Sequence, residues 1–129
     1  MTRFVRVADV LGLSEATLGH PPQVRDLGLV DSAVARPQAA FAGVDAYPSL
    51  HLKAAALLES LACNHAFVDG NKRAAFASLL FFYDLNGMRV TLSHDEAFDL
   101  VIGVVTHELD IEKVAALLAD HTTPLNGEP

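Results

Sequence analysis

His65-Ala66-Phe67-Val68-Asp69-Gly70-Asn71-Lys72-Arg73 runs straight into Ala74-Ala75-Phe76-Ala77-Ser78-Leu79-Leu80-Phe81-Phe82-Tyr83-Asp84-Leu85. The second part is nearly all apolar and made of good or tolerable helix formers. Asn71 to Arg73 are therefore expected as the first turn of a helix that Asn86-Gly87 ends. A helix start carries unpaired N–H groups and a partial positive charge, which suits an anion. Gly70 lets the backbone approach a ligand closely, and Lys72 and Arg73 add full charges beside the orphan amides. Two cations at the positive end of a helix dipole are mismatched unless something negative binds, and that mismatch points to a phosphate-bearing ligand. Asp69 would oppose an anion alone, but a Mg²⁺ bridging its carboxylate and phosphate oxygens removes the conflict. His65, at the loop entrance, is the candidate general base for a hydroxyl nucleophile. Taken singly, these residues have plain structural meanings: His65 paired with a downstream Asp, Asp69 as a helix cap, Lys72-Arg73 as a solvated pair.

Residues 65–73 resemble the signature of the Fic/Doc superfamily, and the Asn71-Lys72-Arg73 ending resembles its Doc (death-on-curing) branch. Adenylylating Fic members instead carry His-Pro-Phe-x-Asp/Glu-Gly-Asn-Gly-Arg with a second Arg three residues on. Here Lys72 replaces the second Gly and Phe76 occupies the second Arg position, and both departures match Doc. The likeness runs from about Val24 through Val90 and more loosely to the end.

The resemblance implies an all-α, compact Fic-fold bundle of about six helices with a small flap between helices. It also implies a toxin of a toxin–antitoxin system that moves the γ-phosphate of ATP to a Thr or Ser hydroxyl of a protein. The family target is translation elongation factor Tu, whose modification blocks translation. On this pattern His65 is the general base, Asp69 the Mg²⁺ contact, and Gly70, Asn71, Lys72 and Arg73 the phosphate cradle, while Phe67 anchors the loop in the core. ATP and Mg²⁺ are the implied substrate and cofactor. The implied partner is a Phd-like antitoxin whose C-terminal segment folds into a groove beside the site. Two alternatives stand beside this reading. One is Fic-type adenylyl transfer to a protein hydroxyl; the other is a non-catalytic interaction protein whose anion nest binds a partner's carboxylates.

The 129 residues suit one domain, 1–129, large enough to bury a core without staples. No apolar run approaches a membrane span and no basic-then-apolar leader opens the chain, so a soluble cytoplasmic protein is expected. The single cysteine, Cys63, excludes an internal disulfide framework, and its apolar surroundings favour buried packing over reactivity. Net charge is −7, from nine basic and sixteen acidic residues, which argues against direct nucleic-acid binding. His94, His107 and His121 lack a ligand spacing for structural zinc.

Caps and periods fill in the rest. Val7, Val10 and Leu11 suggest a short or broken helix, with Ser14 and Glu15 near a possible second start. His20-Pro21-Pro22 is a connector. Asp26 caps a short helix bearing Val30, Ala33 and Val34 that Pro37 ends after Arg36, and Arg25-Asp26 reads as a cap with a local ion pair or as a recurring family pair. Residues 37–48 read as a loop or small hairpin. By the resemblance its Phe41, Gly43, Val44 and Tyr47 form the flap that positions the substrate hydroxyl; the plain alternative is that Phe41 and Tyr47 tuck into the core. Ser49 caps a helix with Leu50, Ala54, Leu57, Leu58 and Leu61 on its apolar face. The helix after Asn71 is apolar almost all round, as a central helix would be. Ser93 to Glu96 form a capping box before Ala97, Leu100, Val101, Val104 and Val105. Asp110 caps a last helix with Ile111, Val114, Ala115 and Leu118 inward. The tail from Thr122 reads as frayed, and no alternation convincingly marks a sheet.

Overall fold

Asn71 starts the helix that carries the core, and a computed structural model describing residues 1–126 places it as the fourth of six helices among those residues. They are α1 (Val7–Leu18), α2 (Leu27–Ala35), α3 (Leu50–Cys63), α4 (Asn71–Leu85), α5 (His94–Val105) and α6 (Ile111–Asp120). A 3₁₀ turn, Arg36–Gln38, follows α2 and leads into a hairpin of β1 (Ala40–Phe41) and β2 (Val44–Asp45). A second ribbon pairs β3 (Met88–Val90) antiparallel with β4 (Thr122–Pro124). The all-α reading holds, with the small flap where it was expected, between α2 and α3.

Side-chain caps explain most helix starts. Asp26 accepts from Gly28 N (2.9 Å), Ser49 from Leu52 N (3.0 Å) and Asp110 from Lys113 N (2.9 Å), while Ser93 and Glu96 close a reciprocal capping box. α1 runs unbroken from Val7 to Leu18, so Ser14 lies inside it, fully buried, rather than opening a second helix. Gly19 ends α1 in the left-handed conformation, its N–H bonded to Glu15 O. The Arg25-Asp26 ion pair is not formed; Asp26 acts as a cap alone, and the exposed Arg25 side chain has no partner among the described residues.

α4 packs against α1 and α3, burying Ala74, Ala75, Ser78, Leu79, Phe82 and Tyr83. It is less enclosed than its sequence implies. Leu80 is 41 % exposed, and with Phe76 and Ala77 it faces an open groove. Asn86 closes the helix and sews the N-terminal segment onto it: its amide donates to Phe82 O (2.8 Å) and Arg3 O (2.9 Å) and accepts from Arg3 N (2.8 Å). The tail corrects the expectation of fraying. Thr122 pairs with Val90, Thr123 with Arg89 and Pro124 with Met88, and Leu125 N bonds to Gly87 O. Three-residue strands are too short to show alternation in a sequence. The remainder of that tail, 127–129, lies outside the described residues. No described helix is long and apolar enough to cross a membrane.

Candidate active site

The loop between α3 and α4 is built from backbone ties first. Asn64 ends α3, donates its amide to Leu29 O (2.9 Å) and accepts from Ala66 N (3.2 Å). His65 follows with φ +55°, a left-handed turn rare outside glycine, and its side chain projects into solvent. Ala66 O then accepts from Arg25 N (2.8 Å) and Asp26 N (3.1 Å), and Val68 N donates to Gln23 O (2.9 Å). The segment before α2 thus clamps the loop as a short antiparallel bridge between Val24 and Phe67.

Phe67 is 1 % exposed and sits in the core, as the anchor role requires. Its backbone is held by the Asn71 side chain, which donates to Phe67 O (2.9 Å) and accepts from Phe67 N (3.0 Å). Asn71 therefore spends its amide on the loop itself. Asp69 does not cap α4. One of its oxygens accepts from Gly70 N (2.8 Å), and the N-cap is Gly70 at φ +78°. A Cβ at Gly70 would lie 3.0 Å from Leu18 Cδ2, so close packing as well as backbone geometry calls for glycine.

Lys72 and Arg73 are exposed in the first turn of α4, which holds no acidic residue, and neither makes an ion pair among the described residues. His65, Asp69, Lys72 and Arg73 thus share one short, braced segment with their functional ends in solvent. Asp69 keeps an oxygen available for a hard cation that takes its other ligands from phosphate and water, a donor set that suits Mg²⁺. Among the described residues no three His, Cys, Asp or Glu form a metal cluster. Next to the cations a groove of about 540 Å³ runs between α4 and α5, lined by Lys72, Arg73, Phe76, Leu80, Phe98 and Val101. Phe76 thus forms part of an apolar wall.

The flap residues sit on the β1–β2 hairpin. Ala42 and Gly43 both take positive φ, the two-residue turn that a tight hairpin favours. Phe41 is 86 % and Val44 70 % exposed, so Phe41 does not tuck into the core. Tyr47 is half-buried; its hydroxyl accepts from Arg36 Nε (2.8 Å). Burial works against the Arg36 charge, but hydrogen bonds to Tyr47 and Glu59 outweigh it and hold the guanidinium more firmly protonated than usual. Asp45 pairs with Lys53 of α3 (3.0 Å). These ties, and the place of Lys53 in them, were not foreseen from the sequence. The signal was present: Lys53 falls on the same helical stripe as Leu57 and Leu61, where a charged residue needs a buried partner.

Cys63 is half-buried against the core, its Sγ 3.8 Å from Val104 O, and burial pushes its thiol pKa up, which disfavours the reactive thiolate. His94 lines the groove, and His121 lies 3.5 Å from Glu96.

Residues 5–83 match the family model described as Fic/DOC family. The chain is 50 % identical over 121 residues to "Toxin Doc" of Mycolicibacterium smegmatis, covering 92 % of this chain and 93 % of that protein. It is 31 % identical over 119 residues to "Protein kinase doc" of Escherichia phage P1, covering 90 % of this chain and 93 % of the other.

Proposed function

The chain belongs to the Fic/DOC family, and from that membership we propose that it is a Doc-type toxin that transfers the γ-phosphate of ATP to a Thr or Ser hydroxyl of a protein. Elongation factor Tu is the target this reading implies, with arrest of translation as the result, in the cytoplasm. The carrying observation is the pair Lys72 and Arg73, exposed and without an ion pair among the described residues, at the positive end of α4 beside a left-handed glycine. A polyphosphate is the ligand that relieves that charge mismatch.

In the reaction the target hydroxyl oxygen forms a bond to the γ-phosphorus, the bond to the bridging oxygen breaks, and ADP leaves. His65 takes the hydroxyl proton. Lys72, Arg73 and the first N–H groups of α4 bind the phosphates and stabilise charge on the transferring group. Asp69 would hold Mg²⁺, which when bound neutralises phosphate charge. Asn71 acts from behind, fixing the loop through Phe67. Phe76, standing where the adenylylating branch has its second Arg, leaves no further cation there to seat the nucleotide for adenylyl transfer. The name of the phage relative, a protein kinase, supports the same choice. The flap, Phe41 to Tyr47, receives the target segment. The apolar groove beside Lys72 and Arg73 fits the C-terminal segment of a Phd-like antitoxin, whose binding there would cover the phosphate site.

The test is intact-mass analysis of elongation factor Tu after incubation with this protein, ATP and Mg²⁺, alongside His65→Ala. A phosphoryl-sized gain that His65→Ala abolishes, with that variant still folded, is the expected result. An adenylyl-sized gain assigns Fic-type transfer instead. No gain on any hydroxyl protein offered would favour a non-catalytic anion-binding role.

A further inference from the structure

A ribbon with two residues in each strand has no core of its own and is marginal alone. The β1–β2 hairpin nevertheless has a definite place, and the groups that fix it lie on α3 and the 3₁₀ turn. Lys53 is 5 % exposed, within the apolar face of α3. Its ammonium donates to the Asp45 carboxylate (3.0 Å) and to Tyr47 O. A buried ammonium is costly unless paired, so its two acceptors are held where it can reach them. Farther along α3, Arg36 binds the Tyr47 hydroxyl through Nε, while its Nη1 donates to Glu59 (2.9 Å) and Ser60 Oγ (3.0 Å). The guanidinium carbon also lies 5.3 Å from the Tyr47 ring centroid.

Both ties grip one leg of the hairpin, Asp45 to Tyr47, at two heights along α3. The tip, Phe41 to Val44, has no side-chain tie among the described residues and points two apolar groups into solvent.

We propose that Lys53 and Arg36 are positioning residues that hold the hairpin as a fixed strand platform for the protein substrate, an inference that rests on the protein-modifying reading above. The hairpin is then neither a lid nor a loop ordered by its target. The flap of the proposed function then meets its target segment already ordered, with Phe41 and Val44 exposed at its tip. Preorganisation spares the ordering cost when the target arrives, so loss of either cation raises KM for the protein substrate while the nucleotide site is untouched.

The experiment compares wild type with Lys53→Met, Arg36→Met and Asp45→Asn. Lys53→Met keeps the stem's packing, and Asp45→Asn alters only the half-exposed end of the tie. Amide hydrogen exchange across 39–47, including Ala46 N, which bonds to Ala39 O, is expected to accelerate at least tenfold in each variant while amides of α4 keep their protection. In phosphoryl transfer to elongation factor Tu, KM for that protein is expected to rise about tenfold, with KM for ATP unchanged and kcat within twofold. Unchanged exchange at 39–47, or an equal rise in both KM values, would overturn the assignment. If wild type leaves elongation factor Tu unmodified, the kinase reading has lost its target, and the exchange result still decides whether the two cations clamp the hairpin.

Discussion

Replacing Asn71 with Ala separates a brace from a phosphate ligand. Its side chain makes two bonds to one residue, donating to Phe67 O at 2.9 Å and accepting from Phe67 N at 3.0 Å, and Phe67 is buried. Truncation leaves both backbone groups unpaired. A buried polar group without a partner costs about 1–3 kcal/mol, but Asn71 itself is half-buried, so water reaches the gap and reduces the penalty. A total of about 2 kcal/mol is expected. For a domain of this size that corresponds to a fall in Tm of roughly 6–10 °C. Urea unfolding should show the change as a lower midpoint at constant slope, with faster exchange at the Phe67 amide. Asn71→Asp keeps the acceptor but sets a carboxylate against Phe67 O, and should destabilise at least as much. Stability within about 0.5 kcal/mol of wild type, together with lost ATP binding, would refute the brace and return the side chain to the phosphate cradle.

Two further expectations follow from single observations. Gly70→Ala must hold a left-handed conformation at φ +78° and displace Leu18; urea unfolding should register a loss of roughly 1–2 kcal/mol, with ATP affinity falling as the α4 start shifts. His51 Nδ1 lies 2.8 Å from the hydroxyl of the fully buried Tyr83, and burial lowers the His51 pKa below its ordinary 6.5. The unfolded chain therefore binds more protons from around pH 6.5 down to the folded value, so this residue's contribution is intact above that range and is lost as pH falls through the lower folded value; His51→Phe should flatten stability measured by urea unfolding as pH falls from about 7 through that range.

The loop and its helix were legible because their signal is local. Gly70, the cations after it and the apolar run that follows specify a turn, a helix start and a buried mount within twenty residues, and α2, α3, α5 and α6 each carry a capping side chain at the right place. What sequence reading missed depends on how the chain folds back on itself, near or far along the sequence. The Asn71 side-chain bonds to Phe67 were not foreseen because nothing in the residue types reveals that the loop curls back to meet that amide. The tail from Thr122 looked frayed because its pairing partner, Met88–Val90, lies more than thirty residues earlier. Lys53 drew no notice inside an apolar stretch, although a lysine on that stripe was itself the sign that a carboxylate and a carbonyl must converge there. α4 read as buried all round because its groove-facing side chains, Phe76 and Leu80, are as apolar as its core-facing ones.

The site divides its labour by burial. Ala66 and Phe67 lie in the core, and Asn64 and Asn71 bond their backbone, so the residues that set the geometry make their contacts inside the protein. His65, Asp69, Lys72 and Arg73 are exposed; the only one with a side-chain hydrogen bond or ion pair among the described residues is Asp69, to the next N–H along the chain. That arrangement is unfavourable for the free protein. A cation in the first turn of an exposed helix opposes the dipole by about 0.3–1 kcal/mol, and His65 adds the cost of a left-handed backbone. Neither cost brings a compensating side-chain hydrogen bond or ion pair among the described residues, so the contacts made there do not account for these residues. A ligand with several negative oxygens would turn the same two cations and the same orphan amides from a liability into its binding energy, without moving the loop that Asn71 and the segment before α2 already hold.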